Sequence, residues 1–139
     1  MKPVKFSELK VGMKGSYTKQ ITQEDVDNFI KICNDVNPIH TNEEYASKTP
    51  LKTKIVHGIL VSSLISTVVG IKCPGPGSVW LDQTLRFLLS VKVNDTITAI
   101  SEILVKIPER QQVIVRTTCI NQNNEVVIEG TGLHKILEA

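Results

Sequence analysis

Asp35 and His40 stand five positions apart in the run Asp35-Val36-Asn37-Pro38-Ile39-His40. A carboxylate beside an imidazole is the usual material for moving protons near neutral pH. Asn37 precedes a proline and is biased towards extended backbone. Pro38 has no N–H and cannot continue a helix. The segment therefore reads as a turn. A turn can bring two side chains to one point, where a helix or strand would hold them apart.

The elements around this turn follow from periodicity. Residues 15–21 suit a first strand. Thr22 is a helix N-cap, with Asp25 three residues on in the manner of a capping box. Val26, Phe29, Ile30 and Cys33 follow at the spacing of one buried helical face. That spacing predicts an inert, buried Cys33 and a helix that delivers the chain into Asp35. Residues 42–46 suit a short helical turn, and Ser47 to Lys54 a basic loop. The run Ile55 to Gly70 is apolar round the whole helical wheel except for small hydroxyls, which predicts a buried central helix capped by Gly70. Pro74-Gly75-Pro76-Gly77 ends regular structure. Strands are then expected over Val79 to Leu88, Thr96 to Ile107, Gln112 to Ile120 and Glu125 to Leu137. Tight connections make the later ones antiparallel, and Gly130 and Gly132 suggest a bulge. His134 in the last strand reads as a surface or edge residue. The sum is one α+β domain over residues 1–139, with a long helix against an antiparallel sheet.

Composition narrows the partners. The chain has 139 residues, 41% hydrophobic and 22% charged, which suits one ordinary globular domain. A net charge of +2 lacks the basic surplus of a nucleic-acid binder. Cys33, Cys73 and Cys119 have no metal-ligand spacing and point to free thiols in a reducing compartment. The apolar run Ile59 to Val69 is too short to span a bilayer. The first residues lack the apolar core of a signal peptide, so the cytoplasm is the expected location.

The run from Asp35 to His40, followed by Ala46 and by Ile55-Val56-His57-Gly58, resembles the MaoC-like dehydratases, most closely the R-specific enoyl-CoA hydratases. The likeness also takes in Leu9 to Gly12, Thr22 to Phe29 and Val93 to Thr96. It implies a hot-dog fold, a curved antiparallel sheet wrapped round the central helix, and a homodimer whose sheets join edge to edge. It implies that Asp35 and His40 activate water for addition to C3 of a trans-2-enoyl thioester and supply the proton to C2. It implies that the Gly58 N–H binds the thioester carbonyl, that Asn37 holds the turn, and that Ser66 is a supporting serine. Asn34 and Asn94 stand where the family usually has glycine, and asparagine tolerates the left-handed backbone such positions need.

That chemistry suits the residues. Hydration of an enoyl thioester needs a base for water, an acid for the α-carbon and stabilisation of charge on the carbonyl oxygen. If Gly58 begins the buried helix, its free N–H lies at the positive end of the dipole, with no side chain in the way. No metal or redox cofactor is needed, since the coenzyme A thioester enters as substrate.

Simpler readings stand beside several of these residues. His57 reads as structural, and it joins Lys48, Lys52 and Lys54 as a candidate for substrate contact; a solvated loop also accounts for the lysines. Ser66 could be a packed hydroxyl bonded to the preceding turn. Three other functions compete: a 3-hydroxyacyl dehydratase acting on acyl carrier protein, a hot-dog thioesterase, and a non-catalytic acyl-CoA-binding module.

Overall fold

The computed structural model describes residues 1–139. Six strands form one antiparallel sheet: β1 (Lys14–Gln20), β2 (Ser78–Gln83), β3 (Arg86–Phe87), β4 (Thr96–Ile107), β5 (Gln112–Ile120) and β6 (Val126–Ile136). Their order is β1-β4-β5-β6-β2, with β3 also paired to β6. Ile97, Ala99, Ser101 and Ile103 of β4 are buried in alternation with half-exposed neighbours. Val113, Val115, Thr117 and Cys119 of β5 do the same. A period of two places one face of each strand on the core.

That face wraps α4 (Gly58–Thr67), whose Val61, Leu64 and Ile65 are buried. Each such aliphatic side chain contributes roughly 1.5–3 kcal/mol by leaving water. The arrangement is the expected hot-dog fold, an α+β sheet around a central helix. Three further helices, α1 (Gln23–Cys33), α2 (Pro38–Thr41) and α3 (Glu43–Ser47), lie between β1 and α4 in the chain. The N-cap of α1 is the expected box: Thr22 Oγ1 accepts from the Asp25 N–H, and Asp25 accepts from the Thr22 N–H.

Several expectations change in three dimensions. The central helix starts at Gly58 rather than Ile55, because Ile55 and Val56 are bonded to other segments; the Ile55 N–H bonds the Ile39 carbonyl at 3.1 Å and the Val56 N–H the Val91 carbonyl at 2.7 Å. One face of α4, at Ile59, Ser63 and Ser66, is exposed. Gly70 is not its cap. The helix runs on as a π-helical turn over Val68–Lys72, and its late carbonyls are satisfied by the N–H groups of Cys73 and Gly75 and by Ser78 Oγ.

Cys33 is exposed, since α1 fully buries only Val26 and its contact with the core ends at the half-buried Ile30. His134 is buried, because β2 comes round to pair outside β6 and Trp80 stacks over the imidazole at 6.0 Å.

The strand expected over Val79 to Leu88 is broken at Thr84 and Leu85. Gly130 and Gly132 do not form a bulge; the β6 irregularity lies near Val127, between the Cys119 and Ile120 pairings. The two glycines instead make room for the β2–β3 break. A Cβ on Gly130 would collide with the Thr84 carbonyl oxygen, and one on Gly132 would lie 2.5 Å from Gln83 Oε1.

Candidate active site

Asn34 closes α1 in the left-handed conformation, φ 61°, with its N–H on the Ile30 carbonyl at 2.7 Å. This turn throws Asp35 off the helix end. Asp35 Oδ1 then accepts from the Asn37 N–H at 3.1 Å. Asn37 Oδ1 in turn accepts from the Ile39 N–H at 3.2 Å and caps α2, with Pro38 at its first position. One four-residue helix thus carries His40, and the same asparagine that starts it steadies Asp35.

The His40 ring is fixed from the other side. Its Nδ1 lies 2.8 Å from the Ile55 carbonyl oxygen. A carbonyl only accepts, so Nδ1 carries the proton and Nε2 presents a lone pair. No hydrogen bond or ion pair joins His40 to Asp35, yet their ligating atoms lie within 4.8 Å of one another. A water with hydrogen bonds of ~2.8 Å to two partners spans groups roughly 4.5 Å apart. A separation of up to 4.8 Å between the carboxylate and the imidazole leaves room for one shared water.

His57, which the sequence reading treats as structural, is inside this cluster. Its ring stacks on His40 with centroids 3.9 Å apart and meets the edge of Phe29 at 5.0 Å. Its Nε2 donates to the Asp35 main-chain carbonyl at 3.0 Å and lies 3.9 Å from Asp35 Oδ2. His57 is the N-cap of α4 but its side chain makes no capping bond. The next residue is Gly58, whose N–H has no protein acceptor. The Phe87 ring covers Gly58 so closely that a Cβ there would fall 2.6 Å from Phe87 Cε1. Beyond it opens an apolar cavity of about 450 Å³, lined by Ile55, Gly58, Ile59, Phe87 and Leu89 among others. No local pattern pointed to Phe87, which reaches the site only through the pairing of β3 with β6.

The MaoC-like domain matches residues 6–125. This chain belongs to the MaoC-like dehydratase family. As a member of it the chain is a hydro-lyase, in the class of hydratases and dehydratases. It is 41% identical over 125 residues to an (R)-specific enoyl-CoA hydratase of Rhodospirillum rubrum, spanning 90% of this chain and 86% of that protein. It is 40% identical over 131 residues to a 3-hydroxybutyryl-CoA dehydratase of Methylorubrum extorquens, spanning 94% of this chain and 83% of that protein. Its structure is similar to that of the (R)-hydratase from A. caviae involved in PHA biosynthesis. There the TM-score is 0.89 at 32% identity, over 94% of this chain and 98% of that one.

Not every candidate of this MaoC-like chain meets at the pair. Ser66 is exposed, makes no hydrogen bond and sits eight residues past Gly58, about 12 Å along the helix. Lys48 Nζ pairs with Glu44 at 3.2 Å, and the Lys54 N–H bonds Glu43 Oε2 at 3.3 Å. Lys52 occupies a left-handed turn position, φ 68°. None of the three is bonded to Asp35, His40 or His57. Asp35, His40 and His57 are close enough together to suggest a metal site. Their hydrogen bonds fit that role poorly. Ligation through His57 Nε2 would move its proton to Nδ1, which is buried without any acceptor.

Proposed function

We propose that this chain is an R-specific enoyl-CoA hydratase, adding water reversibly to a trans-2-enoyl-CoA to give an (R)-3-hydroxyacyl-CoA. The Asp35 carboxylate and the His40 imidazole, gathered within 4.8 Å of one another and of His57, the residue that precedes the free N–H of Gly58, carry this reading. In it, a water held by both groups attacks C3 while His40 Nε2 takes its proton. The thioester oxygen gathers charge and is met by the Gly58 N–H at the start of α4. The pair then returns the proton to C2, so the net addition is one water and the pair ends as it began. A positioned acid–base group contributes roughly 10²–10⁴-fold, and one oxyanion donor roughly 10²–10³-fold. The route needs no metal or redox cofactor. The R sense and the coenzyme A thioester are favoured by the Rhodospirillum rubrum relative, whose name carries both.

The same reading includes a homodimer. β2 is an outer strand of the sheet, and Val79, Trp80 and Leu81 on it are exposed. Phe87, Leu88 and Leu89 extend that apolar strip. The opposite outer strand, β1, is polar, so a second copy pairs through β2.

The test is hydration of crotonyl-CoA, followed by loss of enoyl-thioester absorbance, with the chirality of the product determined. Asp35→Asn and His40→Gln run beside the parent protein. R-3-hydroxybutyryl-CoA from the parent and its loss in both variants would establish the reaction and the pair. Turnover only with enoyl-acyl carrier protein would move the assignment to fatty-acid synthesis. Free thiol released without hydration would move it to thioester hydrolysis.

A further inference from the structure

A helix N-cap is a costly place for a side chain that does not cap. Ser, Thr, Asp or Asn there would bond the first-turn N–H groups and add about 1 kcal/mol. His57 holds the N-cap of α4, the central helix, and makes no such bond. Its ring turns back instead towards the α1–α2 segment and is 97% buried there. It touches both members of the proton-transferring pair, by stacking on His40 and by bonding the Asp35 carbonyl.

Asp35 needs this contact. Its side chain is half exposed and takes only the Asn37 N–H as a donor, so burial does not hold it. We infer that His57 is a positioning residue, one that ties Asp35 and His40 to the start of α4 and so sets their gap relative to Gly58. This rests on the hydratase reading above. His57 does not itself exchange protons with water, because Nε2–H is spent on a carbonyl and Nδ1 is buried without a partner.

Two variants separate this role from simple packing. His57→Phe keeps a ring against Phe29 and His40 but loses the N–H. His57→Gln loses the ring but carries an amide N–H at similar reach. Misplacement of a reacting group by about 1 Å costs roughly 100-fold. We expect His57→Phe to lower kcat roughly 10- to 100-fold with little change in KM. Its melting temperature should stay near that of the parent, and His57→Gln should recover much of kcat. Equal kcat in His57→Phe and the parent would overturn the inference, as would a loss in both variants that only follows their stability.

Nitrogen-15 spectra of the histidines supply a reading that needs no turnover. The parent should show His57 protonated at Nε2 and His40 at Nδ1, and His57→Phe should shift the Asp35 carbonyl carbon. The opposite His57 tautomer, or an unmoved Asp35 signal, would also overturn the inference. A parent inert on every thioester, with these signals in place, sinks the hydratase reading alone.

Discussion

His40 and Ile55 are joined directly, and Ile55 also holds the residue before that histidine. The imidazole Nδ1–H donates to the Ile55 carbonyl at 2.8 Å, and the Ile55 N–H donates to the Ile39 carbonyl at 3.1 Å. The strap before α4 therefore sets both the ring orientation and the tautomer of the proposed base, from fifteen residues away. The protonated nitrogen faces the Ile55 carbonyl, which leaves Nε2 unbonded.

Asn37→Ala removes the cap of α2 but keeps the main-chain N–H that Asp35 accepts. The loss should be about 1 kcal/mol in urea unfolding. Turnover should fall less than in Asp35→Asn, because the carboxylate remains. Asn37→Asp keeps an acceptor for the Ile39 N–H and should recover most of the stability. Equal stability of the alanine variant and the parent would show that Pro38 alone holds the turn.

Gly58→Ala puts a methyl group against Phe87, whose ring must turn away. Alanine is the better helix former by about 1 kcal/mol, so the melting temperature should hold or rise. Hydration should nevertheless drop roughly 100-fold if the thioester has to reach this N–H. Stability and activity then move in opposite directions, which a folding defect cannot produce. Unchanged kcat/KM would remove Gly58 from the oxyanion role.

His134 should make the fold sensitive to acid. Burial pushes its pKa down from the ordinary 6.5 to about 4. Above pH 6.5 the imidazole is neutral in both folded and unfolded chains and adds nothing to the pH dependence. Between 6.5 and 4 only the unfolded chain takes up the proton, so stability falls as pH falls. The slope is about 1.4 kcal/mol per pH unit, or about 3 kcal/mol across the window. His134→Leu should flatten this part of a stability–pH curve measured by denaturant. A curve of the same slope in the variant would place the titrating group elsewhere.

The three thiols should react unequally. Cys33 is exposed at the end of α1, whereas Cys73 and Cys119 are buried. Burial raises both buried thiols, Cys119 to about 12. The thiolate is the reactive form. Titration with a thiol reagent should label one cysteine in the folded protein and three in denaturant, and Cys33→Ser should abolish the fast label. Fast labelling of two thiols in the native protein would show that the core around Cys73 opens readily.

Much of the fold was legible because its signals are local. The alternation in β4 and β5, the box at Thr22 and the turn at Asn37-Pro38 each depend on backbone preferences within a few residues. Asn34 and Asn94 adopt the left-handed backbone expected where the family has glycine, with φ of 61° and 76°. The closeness of the proposed pair was legible for a related reason: Asn37-Pro38 was read as a turn and is the capped start of a short helix, α2, which carries His40 while Asp35 precedes it.

What the tertiary structure alone decided concerns partners distant along the chain. The helical spacing of Cys33 matched a buried face, but nothing local shows that α1 leaves the core after Ile30. His134 looked like an edge residue because its strand comes last, and only the return of β2 to its outer side buries it. Gly130 and Gly132 resembled a bulge, while their service is to admit Thr84 and Gln83 from more than forty residues upstream. His57 was visible as a neighbour of Gly58, but its contacts with Asp35 and His40 span 22 and 17 residues. Period and capping specify how a segment bends and which face it buries. They do not specify which other segment arrives at that face, because this is set by the packing of the whole chain.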